Sequence, residues 1–318
     1  MTQRQIDSEK KEEFSAPVRI CLSGEDLDWL GFKCCCLAIN LRTRVSFNKY
    51  GNPYRSTFVD KIWPLIIQNC GDKSYNEPPD VSITNEAPIA SGLSSSTSLI
   101  IALIKAWFNH INQPITDPYR LAELAFNIEY QVIGCGGMDQ LTISYGGTLL
   151  MQGKDRDLPD ILGRIKWPEE YGLLLIDSGQ PKSTKEHIAE VRTQIDKKDK
   201  NLNRYISITD NCSEQIWEAI EKRQIERLTL AINHAHEAMR DYQNMSTGFI
   251  ETLRDMALNN GCQAVKLTGA GGGGCLFAVV SESKIIETLN KLRTVYQKHK
   301  LPAKSYIIKP DNIGSANA

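Results

Sequence analysis

The chain has 318 residues, 41% apolar and 24% charged, and its 37 basic and 38 acidic side chains leave a formal charge of −1. That composition is globular, with length for one large domain or two ordinary ones, and it excludes a strongly basic nucleic-acid binder. No apolar run approaches 18 residues, since the longest candidate, 99–108, is interrupted by Lys105, so no spanning helix is expected.

Residues 1–14 are polar, read as a loose tail without an apolar signal-peptide centre, and point to a cytoplasmic protein. Strands are expected at 18–23 and 34–48, joined by a loop over 24–31. Cys34, Cys35 and Cys36 are consecutive, so they alternate between strand faces and cannot share one tetrahedral metal. The nine cysteines read as small buried side chains in a reducing compartment. Residues 51–80 are mixed. A short strand at 81–83 leads into a cluster of small residues, then an apolar helix at 99–108. Asp117-Pro118 reads as a helix start, Asp at the cap and Pro at the first helical position, for a helix running to about 130. A glycine loop at 134–137, a new element at 138–145 and a strand at 148–152 follow.

Gly, Asp, Arg and Pro cluster at 153–168, which places a domain boundary there and gives domains over 15–165 and 166–318. The second half reads as a strand at 172–177, helices at 183–196, 213–236 and 246–260, strands at 264–268 and 275–280 around a glycine run, a helix at 283–298 and a strand at 304–309. Helices and strands alternate irregularly, so the class is α+β.

Three features carry chemistry. The Ser/Gly cluster at 91–98 precedes a helix, where free N–H groups, hydroxyls and a close backbone approach make an anion cradle suited to phosphate. Gly269-Ala-Gly-Gly-Gly-Gly274 contains G-x-G-x-x-G, but strand-like residues follow it, unlike a dinucleotide fingerprint. Two such loops in one chain point to a bound polyphosphate. The third feature is acidic. Glu129 shares a helix face with apolar residues and needs a partner, Asp139 sits in an apolar setting, and Arg19 lies in an apolar strand and needs an anion.

Together these residues resemble the GHMP kinase superfamily, which includes galactokinase, homoserine kinase and mevalonate kinase. The three motifs occur in order: Ala16-Pro-Val-Arg-Ile-Cys-Leu-Ser-Gly-Glu-Asp-Leu-Asp28, Pro88-Ile-Ala-Ser-Gly-Leu-Ser-Ser-Ser-Thr97 and Lys266-Leu-Thr-Gly-Ala-Gly-Gly-Gly-Gly-Cys275. The resemblance implies a two-lobed, ATP-dependent small-molecule kinase with an N-terminal ATP-binding lobe and a C-terminal α/β lobe. It implies that Pro88, Ser91, Gly92, Leu93, Ser94, Ser95, Ser96 and Thr97 wrap the triphosphate. Gly269, Ala270, Gly271 and Gly272 would meet the phosphates or the acceptor, and Ser96 and Glu129 would hold Mg²⁺. Gly137-Met-Asp139-Gln140 resembles the galactokinase element whose aspartate is the catalytic base, with Arg19 holding it ionised. Glu25, Asp26 and Asp28 would bind the acceptor, Asp26 standing where galactokinases carry histidine.

Motif one favours a sugar 1-kinase, whereas 176–185 and motif three look more like mevalonate kinase. The alternatives are a mevalonate kinase-type enzyme or a non-catalytic sugar and ATP sensor; a mevalonate-pathway decarboxylase fits motif one poorly. Family likeness puts the adenine among residues 45–75, Trp63 included. The expected partner is a small alcohol or sugar, with no nucleic acid and no membrane, in a monomer or homodimer.

Overall fold

The computed structural model describes residues 12–47, 56–70, 80–88, 90–134, 136–181 and 184–315. The first antiparallel sheet opens with β1 (Phe14–Ser23), crosses a one-turn helix α1 (Leu27–Leu30) and returns as β2 (Lys33–Phe47). Helix α2 (Thr57–Cys70) precedes β3 (Val81–Asn85), which pairs with the far end of β2. Helices α3 (Ser95–His110), α4 (Pro118–Ile133) and α5 (Met138–Tyr145) follow, then β4 (Thr148–Gln152) and β5 (Asp160–Ile165). The order is β1-β2-β4-β5.

The second antiparallel sheet, ordered β7-β8-β6-β9, is built from β6 (Tyr171–Asp177) and three later strands. Between them run α6 (Thr184–Asp196), α7 (Lys200–Glu221), α8 (Ile225–Gln243) and α9 (Gly248–Asn259). Then come β7 (Ala264–Leu267), β8 (Cys275–Ser281), α10 (Ile285–Lys298) and β9 (Lys304–Ile308).

Several expectations are corrected. The tail read over 1–14 lies outside the described residues as far as residue 11, and Phe14 already belongs to β1. The loop over 24–31 contains α1. Within 153–168, where the composition placed a domain boundary, β5 pairs with β4 of the first sheet. The single helix read at 213–236 is two, broken at Arg223, whose φ of 53° cannot continue a right-handed helix. Helix α3 begins at Ser95 rather than 99, because its hydroxyls bond to neighbouring elements instead of breaking its first turn.

The strand pleat sorts the cysteine triplet as its alternation requires: Cys34 and Cys36 join one apolar cluster and Cys35 another, all fully buried. A third cluster fills the space among α2, α3 and α4, where Trp63 meets Trp107 edge-on with ring centroids 5.0 Å apart. Trp63 is fully buried there, so its ring is committed to the core and is not a wall for adenine.

After β9 the chain crosses back to the first sheet. Asn40 N donates to Lys309 O at 2.9 Å, Asp311 N to Ala38 O at 2.8 Å and Gly147 N to Asp311 O at 2.7 Å. Asp311 pairs with Arg42, and Lys105 of α3 donates to Ser315 O. Burial, with the nearby Arg42 charge, pushes the Lys105 ammonium down to about 8. No helix among the described residues is long and apolar enough to cross a membrane.

Candidate active site

A cavity of about 320 Å³ lies where motif one, motif two and α5 converge with the edge of motif three. Motif two enters through backbone conformations that few residues tolerate: Ala90, Gly92 and Ser94 have φ of 53°, 87° and 60°. This left-handed winding brings residues 91–96 to the cavity wall at the start of α3.

Arg19 and Asp139, 120 positions apart, form a two-pronged pair: Nε donates to Oδ1 at 2.5 Å and Nη2 to Oδ2 at 2.8 Å. The third arm of the guanidinium donates to Gly92 O at 2.6 Å, tying the pair to motif two. Ser94 also donates to Asp139 Oδ2. Burial alone would lower the pKa of Arg19, but the Asp139 carboxylate outweighs it and raises the value, so the guanidinium stays charged. Asp139 faces the cavity with a fixed orientation and spare lone pairs, which is what a proton acceptor requires.

Glu129 projects from α4 and is 3% exposed. Its Oε1 accepts from Ser96 at 2.9 Å, and its Oε2 from Thr97 at 2.7 Å and Gln140 at 2.8 Å. Burial nevertheless pushes its carboxyl up to about 7 against those three bonds.

The other end of the cavity is acidic. Asp28 accepts from Met138 N at 3.0 Å and from Trp29 N at 3.1 Å, and burial raises it to about 7, with the charges of Asp139 and Asp26 adding to the rise. Asp26, held at φ 68°, has both oxygens engaged, by Trp29 Nε1 at 3.3 Å and His187 Nε2 at 2.7 Å. Glu25 bonds through Oε1 to Lys266, while its buried Oε2 has no partner.

The structure brings most of the expected residues to this cavity: Arg19, Glu25, Asp26, Asp28, residues 91–96, Glu129, Asp139, Gly269 and Ala270. Four stand back from it. Pro88 supplies a carbonyl that Ser91 caps at 2.6 Å, and Thr97 turns to Glu129. Gly271 lies against Met245, where a Cβ would come within 2.5 Å, and Gly272 donates to Met245 O. Motif three touches motif two directly, since Cys275 N donates to Ser91 O at 2.8 Å.

Residues 59–147 match the GHMP kinases N terminal domain and residues 216–298 the GHMP kinases C terminal domain. The chain belongs to the GHMP kinase family. As a GHMP kinase it is an ATP-dependent phosphotransferase with an alcohol acceptor. It is 28% identical to a mevalonate kinase of Pyrococcus horikoshii over 83% of this chain and 87% of that one, and 24% identical to a galactokinase of Clostridium tetani over 90% and 88%. Its fold is shared with Lactococcus lactis galactokinase complexed with galactose (TM-score 0.78, 19% identity, 98% and 96% covered). It is shared equally with Methanococcus jannaschii mevalonate kinase (TM-score 0.76, 22% identity, 96% and 100% covered).

Two residues behind the cavity wall, His187 bonded to Asp26 and Lys266 bonded to Glu25, were not singled out from sequence. His187 lies on α6, and the replacement of a motif histidine by Asp26 was the available hint that an imidazole could arrive from elsewhere. Lys266 interrupts the apolar run Ala-Val-Lys-Leu of β7, and a lysine in a buried strand needs an anion.

Proposed function

We propose that this GHMP kinase transfers the γ-phosphoryl group of Mg-ATP to a hydroxyl of a neutral monosaccharide, in the manner of a sugar 1-kinase. The carrying observation is the charge balance of the cavity. Among the described residues five carboxyl groups line it, Glu25, Asp26, Asp28, Glu129 and Asp139, with Asp28 and Glu129 raised to about 7 by burial and Glu25 paired with Lys266 behind the wall, against one lining guanidinium that is already committed to Asp139. Carboxylates accept several hydrogen bonds each and suit polyhydroxylated ligands, whereas an anionic acceptor would meet repulsion with no free cation lining the wall.

In this reading Asp139 takes the proton of the acceptor hydroxyl, and Arg19 holds the carboxylate in place by its fork and stabilises charge as the oxygen becomes nucleophilic. The amides of 91–96 hold the phosphates, and Gly269 and Ala270 close that side. The donor set also fits Mg²⁺. Ser96 Oγ and Glu129 are hard oxygen ligands, and a buried carboxyl pushed up to about 7 gains from a cation beside it. Two protein oxygens suit an ion whose remaining ligands are phosphates and water. Mg²⁺ there supplies charge neutralisation for the transferred phosphoryl group.

The second reading is a mevalonate kinase-type acceptor, favoured by the 26–28% identity to mevalonate kinases. A coupled ADP-release assay over neutral monosaccharides and mevalonate separates them. Turnover of a sugar and not of mevalonate is expected; the reverse pattern overturns the sugar assignment. Binding of both ligands with no ADP released above the Asp139→Asn background would instead mark a sensor.

A further inference from the structure

Resting on the reading of Glu25 as part of the acceptor end, we propose that Lys266 is a positioning residue, which sets the Glu25 carboxylate for the acceptor and makes that setting depend on the docking of motif three. Lys266 is fully buried, and an ammonium has three donors. All three are used inside the protein, on Glu25 Oε1 at 2.5 Å, Leu267 O at 3.0 Å and Cys21 O at 3.2 Å. Lys266 therefore has no donor left for a phosphate, and it acts on the site through Glu25.

Gly269 N adds a second donor to the same Glu25 oxygen at 3.3 Å, and Tyr205 of α7 holds the Glu25 carbonyl at 2.8 Å. One oxygen is thus clamped by two groups of the second sheet's β7 segment. The other, Oε2, is buried and unpartnered on a residue that lines the cavity. A buried carboxylate oxygen without a donor is costly, and a ligand hydroxyl removes that cost. Thr268, between Lys266 and Gly269, accepts from Cys21 N at 2.9 Å, so this segment is also stitched to β1. Seating motif three and setting the Glu25 carboxylate are one structural event, so the acceptor site is complete only when the β7 segment is docked on β1.

The test is steady-state kinetics on the full chain with Mg-ATP, using D-galactose and mevalonate in parallel as acceptors, for Lys266→Met, Glu25→Gln and the double variant. Lys266→Met is expected to raise the acceptor KM about tenfold or more with the ATP KM changed less than about twofold, and to add less than about twofold to the acceptor KM in the Glu25→Gln background. Equal rises in both KM values, or a full further rise in the Gln background, would overturn the proposal. If Lys266→Met does not fold because Glu25 is left buried without its cation, the comparison of Glu25→Gln with the double variant decides, since neither leaves a buried carboxylate without its cation. Matching acceptor KM values there support the proposal, and a further rise overturns it. Failure of the sugar reading is seen separately, in the unmodified enzyme, as turnover of mevalonate and not galactose; the Lys266 comparison is then read with mevalonate.

Discussion

Asp139 receives the Nε and Nη2 arms of Arg19 and the hydroxyl of Ser94 on one small carboxylate, and still faces the cavity. Asparagine there keeps the shape but gives up the charge, one acceptor and the ability to take a proton. Asp139→Asn should lower kcat by roughly 10²–10⁴-fold, measured by ADP release at saturating substrates, with the fold unchanged by circular dichroism. Asp28 gives a pH signature instead. Its carboxyl is raised by burial from 3.8 to about 7, so the folded state binds the proton more tightly than the unfolded chain. The stability this group contributes is therefore greatest below the unfolded value and falls as pH climbs from about 4 to 7. Asp28→Asn should flatten that slope in urea midpoints taken between pH 5 and 8, over a constant loss of about 1 kcal/mol for the forfeited backbone bond. Asp139, Arg19 and Glu129 were legible because each breaks an apolar pattern in a way that demands a partner. Lys266 breaks one in the same way. His187 gave no such signal, because it lies in a polar stretch of α6 and breaks no apolar run; only the tertiary fold brings it to Asp26.

Among the elements, those governed by local pattern were read closely from sequence: α4 starts at the Pro after Asp117, whose side chain accepts from Tyr119 N and Arg120 N. Those governed by distant contacts were not. The hydroxyl residues opening α3 favour turns when considered alone, and they stay helical because Ser96 and Thr97 bond to Glu129 and Ser98 to Ala16 O. The break between α7 and α8 falls at Arg223, without glycine or proline to announce it. The two glycine-rich loops depend on each other in the same non-local way. At Gly274, φ is 85° and an added Cβ would lie 2.5 Å from Ser91 O, the oxygen that accepts from Cys275 N. Gly274→Ala should therefore push motif two off motif three and weaken ATP binding about tenfold or more, read as a nucleotide Kd by calorimetry. An unchanged Kd would show that this contact does not shape the phosphate cradle.

Over the whole molecule, the α+β class followed from the irregular alternation of strand and helix patterns and the two lobes from the family resemblance, whereas the return of residues 309–315 to the first sheet left no mark in composition or periodicity. That crossing rests on backbone pairing and on Asp311, whose carboxylate meets Arg42 and whose Oδ1 also accepts from Ile313 N and Gly314 N. Asp311→Ala leaves a mostly buried guanidinium without its anion and two amides without their cap. It should lower stability by about 2–4 kcal/mol in urea unfolding, while a change below about 0.5 kcal/mol would mean the crossing is fastened by its backbone bonds alone.

This crossing also orders events during synthesis. The strand that carries Arg42 and the helix that carries Lys105 are made early, yet their fasteners, Asp311 and Ser315, leave the ribosome 269 and 210 residues after them. A nascent chain halted short of that point has its first sheet translated but unlatched, and proteases should cut it there far faster than the released protein.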